Sequence, residues 1–165
     1  MTLIVEDGTG LSSAESYISV ADATARRVAF GSAIWNDLSE AEMEQALRRA
    51  TAYMGQAYRG RWKGARLTRD QALDWPRYGV CVDGFDVPST EVPLDIANAC
   101  ADLAFRAAAG DLAPDLERAI IREKVGPLET EYSAYSPQSP RYPAIDMELA
   151  PYLSGSSAMA RVVRA

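Results

Sequence analysis

The 165 residues, 48% of them hydrophobic, suffice for one compact domain with extensions and are too apolar for a globally disordered chain. There is no histidine, which removes Ser-His-Asp and Cys-His catalysis, histidine-ligated zinc and imidazole proton transfer near neutral pH; carboxylate-based chemistry survives that cut. The net charge of −6 runs against the basic balance of proteins whose main task is gripping phosphates.

The opening Met1–Asp7 lacks the basic and apolar regions of a signal peptide, and no apolar run approaches bilayer thickness, so synthesis and folding in the cytosol, without a membrane partner, are expected. Residues 1–18 read as an extended segment. Thr2–Val5 has strand character, and Asp7-Gly8-Thr9-Gly10 is turn chemistry. Ser19 caps a first helix over Val20–Phe30, which Gly31 ends. Ser39 and Glu42 form a capping box for a second, and Met43, Leu47, Ala50, Met54 and Ala57 recur at helical spacing up to Tyr58, off which Arg48 and Arg49 fall. Glu40, Glu42 and Glu44 belong to a helix start, where acids suit the helix dipole, and need no catalytic duty.

Over residues 59–90 glycines and prolines break any long element. Thr68 is expected to cap one helical turn, Trp75-Pro76 to impose an extended or turning backbone, and Val82-Asp83-Gly84-Phe85 to form a tight turn. Trp75-Pro76-Arg77 reads as a core plug beneath a rigid turn in preference to a ligand-stacking site. Asp83 and Asp86 are explained by the turn without a metal, and no phosphate-cradling GxxxxGK[ST] loop is present. A third helix starts near Pro93, buries Ile96, Cys100, Leu103 and Ala107, and closes at Gly110. Cys81 and Cys100, without CxxC spacing, read as reduced, partly buried thiols, a disulfide being the alternative.

Beyond Gly110, Ile120–Val125 and Leu128–Tyr132 flank Gly126-Pro127 as a β-hairpin. Residues 136–165, with prolines at 137, 140, 143 and 151, read as a C-terminal arm. Its apolar residues Tyr142, Pro143, Ile145, Leu149, Tyr152, Leu153, Val162 and Val163 are candidate anchors on a partner. The expected fold is mainly α: a small helical bundle over 19–135 with a short β-hairpin and extended N- and C-terminal arms.

One stretch carries concentrated positive charge. Arg59, Arg61, Lys63, Arg66 and Arg69 fall within residues 59–69 with no acid among them, interleaved with Tyr58 and Trp62 as in a grip on single-stranded nucleic acid. The plainer reading is a basic surface loop with Trp62 buried against the helices, and the overall acidity favours it. Nothing along the chain supports a reaction, so neither catalytic residue, metal nor cofactor is expected.

Several phrases carry a resemblance across nearly the whole chain: Leu3–Gly10, Ser16–Ser19, Arg61–Gly64, Gln71–Arg77, Asp83-Gly84, Val92-Pro93, Arg122–Leu128 and Tyr142–Asp146, in that order. Together they resemble the head–tail connector (adaptor) subunits of tailed bacteriophages, similar sequences being labelled instead DnaT-like single-stranded-DNA-binding proteins. The first resemblance implies a virion protein at the head–tail interface. It would form a homo-oligomeric ring, twelve-fold, under the portal protein, with a neck or tail-completion protein below and genomic double-stranded DNA passing through the lumen. In that picture the hairpin and arm make the subunit and portal contacts. The second implies single-strand binding through Arg59–Arg69, Tyr58 and Trp62.

Overall fold

The structure, a computed structural model, describes residues 2–31, 33–114, 120–125, 128–132 and 140–155. Helix α1 (Val20–Ala29) begins where the Ser19 hydroxyl accepts the Asp22 N–H at 3.0 Å, and Gly31 ends it at φ +72°. A single turn, α2 (Ala33–Asn36), follows; it places Trp35 wholly inside, its Nε1 donating to the Thr24 hydroxyl at 3.0 Å. The longest helix, α3 (Glu40–Tyr58), opens with the expected capping box between Ser39 and Glu42. Met43, Leu47, Ala50 and Met54 point inward as the spacing requires. Ala57 is exposed, however, and Tyr58 takes the inward place at the helix end.

The main packing is α3 against α4 (Leu94–Ala109), where Ile96, Cys100, Leu103 and Ala107 are buried, as expected, and Ala99, Ala101 and Ala104 join them. Alanine at these positions lets two backbones approach closely. Cys100 lies between the hydroxyls of Ser16 and Thr51, and burial pushes its thiol up. Cys81 is exposed, contrary to the expected partial burial, because it sits in a two-residue strand at the surface; both thiols are free.

Two small antiparallel ladders join α3 to α4: β1 (Ala65–Arg66) with β2 (Arg77–Tyr78), and β3 (Cys81–Val82) with β4 (Phe85–Asp86). Asp83 (φ 52°) and Gly84 (φ 89°) make the second a tight primed turn, as the sequence implied. The helical turn expected after Thr68 is absent. Its capping hydrogen bonds form all the same: Gln71 N–H donates to the Thr68 hydroxyl at 3.1 Å, and Thr68 N–H to Gln71 Oε1 at 2.8 Å. Gln71 Nε2 then donates to Leu73 and Pro76 carbonyls at 2.8 and 3.1 Å, so the side chain braces a loop instead. Trp75 and Pro76, joined by a cis peptide bond, are both buried. Gly64 (φ +65°) is required where it stands, since a Cβ there would lie 2.2 Å from the Tyr78 carbonyl oxygen.

The lead-in before α1 is more built than an extended segment. The buried Glu6 carboxylate accepts N–H groups from Gly8, Gly10 and Leu11 at 2.8–3.0 Å, while residues 4–6 bond back to 15 and 16.

Strands β5 (Ile120–Val125) and β6 (Leu128–Tyr132) pair antiparallel, with Val125 opposite Leu128 and a register shift between Ile120 and Arg122. The expected hairpin is therefore present, on a mainly helical fold.

The largest departure is at the C-terminus. Residues 140–155 are not an extended arm but a short helix, α5 (Pro143–Leu149), and a 3-10 turn (Ala150–Tyr152) seated on the bundle. Two of the prolines that suggested an arm, Pro143 and Pro151, stand in the first turns of these helices, where the missing N–H has no helical partner to lose. Leu153 bridges to Trp62, and Lys63 N–H donates to the Tyr152 carbonyl at 2.9 Å. An aromatic series runs through this junction: Tyr58, Trp62, Trp75 and Tyr152, successive ring centroids 5.6–5.8 Å apart and the last two pairs edge-to-face.

Candidate nucleic-acid interface

The basic loop is largely occupied with holding the fold. Trp62 is 5% exposed within the aromatic series, so the plainer reading holds and no base can stack on it. Lys63 donates to the Pro151 and Cys81 carbonyls at 2.7 and 3.3 Å, tying the 3-10 turn to β3. Arg66 donates to the Gln71 and Leu73 carbonyls. Arg77, buried nearby, braces the same loop by donating to the carbonyls of Lys63, Gly64 and Asp74 at 2.8–3.1 Å, and burial pulls its guanidinium below the usual value. Arg59, Arg61 and Arg69 remain exposed. Arg59 reaches the buried Asp74 at 3.3 Å, and Arg61 lies over the Tyr58 ring, 5.5 Å from its centroid.

A different group of cations and aromatics comes together on the outer face of α3. Arg49, Tyr53 and Ala57 follow one another at intervals of four, which puts them on one side of the helix, and Arg61 continues the series just beyond its end. The facing wall is supplied from far along the chain. Pro140, Arg141 and Tyr142 stand opposite Tyr53 and Arg61 around a hollow of about 330 Å³. A second hollow of about 200 Å³ continues from Tyr53 past Arg49 to Gly110 and Leu112 at the end of α4.

The two tyrosines meet edge-to-face at 5.6 Å, and Arg106 lies over the Tyr142 ring at 5.2 Å. Tyr142 is oriented by its hydroxyl, which donates to the Leu112 carbonyl at 2.9 Å. Tyr58 donates to Asp146 on α5 at 2.9 Å, and burial, reinforced by that bond, pushes its phenol well up. The Tyr53 phenol is raised by burial too, so both stay neutral donors at physiological pH.

Arg49, Arg61, Arg106 and Arg141 are exposed, and none makes a salt bridge among the described residues. Four guanidiniums around two half-exposed tyrosines form a surface that can neutralise phosphates and stack bases. Of these residues the sequence had pointed to Arg61 as a cation and to Tyr142 as a portal anchor. The four-residue spacing of Arg49, Tyr53 and Ala57 was a usable signal for the α3 side. Arg106 and Arg141 join only through tertiary packing.

The proposed portal anchors are placed otherwise than expected. Ile145, Leu149, Tyr152 and Leu153 are buried in the chain's own core, because α5 turns one apolar face onto α4; in the folded domain they are not a free docking surface. Tyr152 is held further by its hydroxyl donating to Asp95 at 2.9 Å, and burial and that bond push its phenol up to about 12. Tyr142 is half-buried in the α3 groove and Pro143 is exposed. Val162 and Val163 lie outside the described residues.

Fold and surface together define a small helical domain with one arginine–tyrosine face. The family model described as "Putative DnaT-like ssDNA binding protein" matches residues 1–165, and the chain belongs to that family. Of the two labels its sequence phrases suggested, the match carries the DnaT-like one. No curated protein and no solved structure matches the chain.

Proposed function

We propose that this protein binds single-stranded DNA without catalysing a reaction, along the face formed by α3, the end of α4 and residues 140–142. The observation that carries this reading is the convergence of Arg49, Arg61, Arg106 and Arg141 on Tyr53 and Tyr142 in a chain whose net charge is −6. Arginines meet the backbone phosphates while a tyrosine offers its ring to an unstacked base, which a paired strand cannot present. The acidity of the chain, with Asp111 and Asp146 in the walls of the two hollows, keeps the grip modest and salt-sensitive. Titrating a fluorescent oligothymidine, and a duplex of the same length, at two salt concentrations tests it. Salt-dependent binding that favours the single strand is expected, and equal or absent binding of both refutes it.

A second reading, a head–tail connector subunit ringed beneath a phage portal, is favoured by the hairpin β5–β6. Its strands pair with each other, Val125 opposite Leu128, and a two-stranded element of this kind can reach a neighbour. On this reading the partners are further copies of the chain, the portal, a neck protein and DNA in transit, and the protein resides in the virion. Electron micrographs of the protein mixed with portal particles decide the matter: collars on the portal support it, and bare portals at saturating protein refute it.

A further inference from the structure

On the neighbouring face of α3 lies a hollow of about 360 Å³ between Arg48, Gly55 and Arg59 on one side and Tyr17, Leu73 and Asp74 on the other. Most of its lining is apolar, and at one end it holds a buried carboxylate whose hydrogen bonding is incomplete. Asp74 is 4% exposed. Its Oδ1 has only Arg59 Nε at 3.3 Å, from a side chain that is 64% exposed, and its Oδ2 has no partner among the described residues. A buried carboxylate oxygen without a donor has given up its water and gained nothing in return, so the site favours a further cation. Arg48 does not serve, being paired with Glu15 at 3.0 Å and Glu44 at 3.2 Å. The Arg77 guanidinium beside Asp74 is engaged by the carbonyls of Lys63, Gly64 and Asp74, which leaves Asp74 Oδ2 without a donor among the described residues.

A cation-bearing segment begins close by. The described chain ends at Gly155, and Ser154 is pinned to the Arg61 carbonyl through its N–H at 2.6 Å and its hydroxyl at 2.7 Å, two residues from Arg59 on the rim of the cleft. The ten residues that follow carry Arg161 and Arg164, the apolar Met159, Val162 and Val163, and no acid. Their reach is ample: ten extended residues span up to about 35 Å, against about 16 Å of helix from Arg48 to Arg59.

We propose that residues 156–165 dock in this cleft of their own chain, an arginine completing the pairing of Asp74 and the valines covering the apolar wall. The inference is independent of DNA binding. It uses a different face of α3, and it assigns Val162 and Val163 to an internal contact in place of one with the portal.

Disulfide trapping in the full-length chain tests it. In a Cys81→Ser background, Ala72→Cys at the exposed edge of the cleft is combined with Val163→Cys, and the control combines Val163→Cys with Ala21→Cys on the exposed side of α1. A docked tail raises the local thiol concentration, so cross-linking at monomer mass is expected about tenfold faster, or more, than in the control. Adding Arg161→Glu and Arg164→Glu should bring the rate down to that of the control. Equal rates in the two pairs, a rate unaffected by charge reversal, or a covalent dimer as the main product would each overturn the proposal, the last by assigning the cleft to a second copy.

Discussion

Neutralising the arginines one at a time should change the salt dependence of DNA binding in regular steps. For single strands, log K falls with log salt by about 0.7 for each phosphate neutralised, so four arginines acting on four phosphates give a slope of about −2.8. Between 50 and 200 mM salt that slope weakens binding about fifty-fold; Arg49→Ala or Arg106→Ala, leaving three contacts, should lower the slope to about −2.1 and the loss to about eighteen-fold. Both side chains are exposed, so folding is spared. Tyr53→Ala acts on a different quantity. It should remove about 1–3 kcal/mol of stacking at every salt concentration and leave the slope alone. Fluorescence anisotropy of a labelled oligothymidine, titrated at four salt concentrations for each variant, measures slope and offset separately. The basic loop supplies the internal comparison, since Arg69→Ala alters a cation equally prominent in the sequence but outside the groove. If Arg69→Ala lowers the slope while Arg49→Ala and Arg106→Ala do not, the assignment of the face is wrong.

Other consequences concern the fold. Leu149→Ala empties a fully buried position on α5 and should destabilise the protein by about 2–5 kcal/mol, a fall in Tm of about 4–20 °C. Met147→Ala, at a 72% exposed site on the same helix, should stay within about 0.5 kcal/mol in the same melts. Hydrogen bonds from the Ser39 hydroxyl and N–H hold the Glu42 carboxyl below its ordinary value, so its stabilisation is complete above the unfolded pKa and is lost as pH falls through the folded one. Glu42→Gln should accordingly narrow its Tm deficit relative to wild type as the medium is acidified below the usual carboxylate range, and a constant deficit would contradict the capping box. A thiol reagent should modify Cys81 at once under native conditions and Cys100 only on unfolding; prompt reaction of both would show that α4 does not bury Cys100.

The helices could be read because their signals are local. A capping serine, a three-and-four apolar spacing and a terminal glycine lie within the element they specify, and α1, α3 and α4 follow them closely. What escaped depends on contacts outside the segment that carries the signal. The same kind of cap at Thr68 and Gln71 produced no helix, because the Gln71 amide turned to the carbonyls of Leu73 and Pro76. The prolines at 143 and 151 gave the same composition whether they interrupt a helix or begin one; only the burial of Ile145, Leu149 and Tyr152 separates the two. The concentration of charge at 59–69 drew attention to a loop whose Lys63 and Arg66 serve backbone carbonyls. The groove arginines, from positions 49, 61, 106 and 141, form no cluster in the sequence at all.

The reassignment of residues 140–155 from arm to core therefore changes the functional argument as well as the fold. One wall of the groove is Pro140, Arg141 and Tyr142, and its position depends on α5: Tyr58 grips Asp146, Tyr142 grips the Leu112 carbonyl, and Ile145 and Leu149 anchor the helix beneath. A segment so connected cannot be lost without dismantling the arginine–tyrosine face. A weakened α5 and a weakened strand grip should therefore appear in the same variant, and Leu149→Ala, at a position that does not line the groove, is the case that separates the causes. At temperatures where it remains folded, it should bind oligothymidine normally if α5 stays seated. If α5 frays locally, affinity should fall while the α3–α4 pair stays helical by circular dichroism. The salt slope identifies which has happened, because loss of the α5 wall removes Arg141 and leaves Arg49, Arg61 and Arg106, a drop of about 0.7 with no change in far-UV signal beyond a short helix.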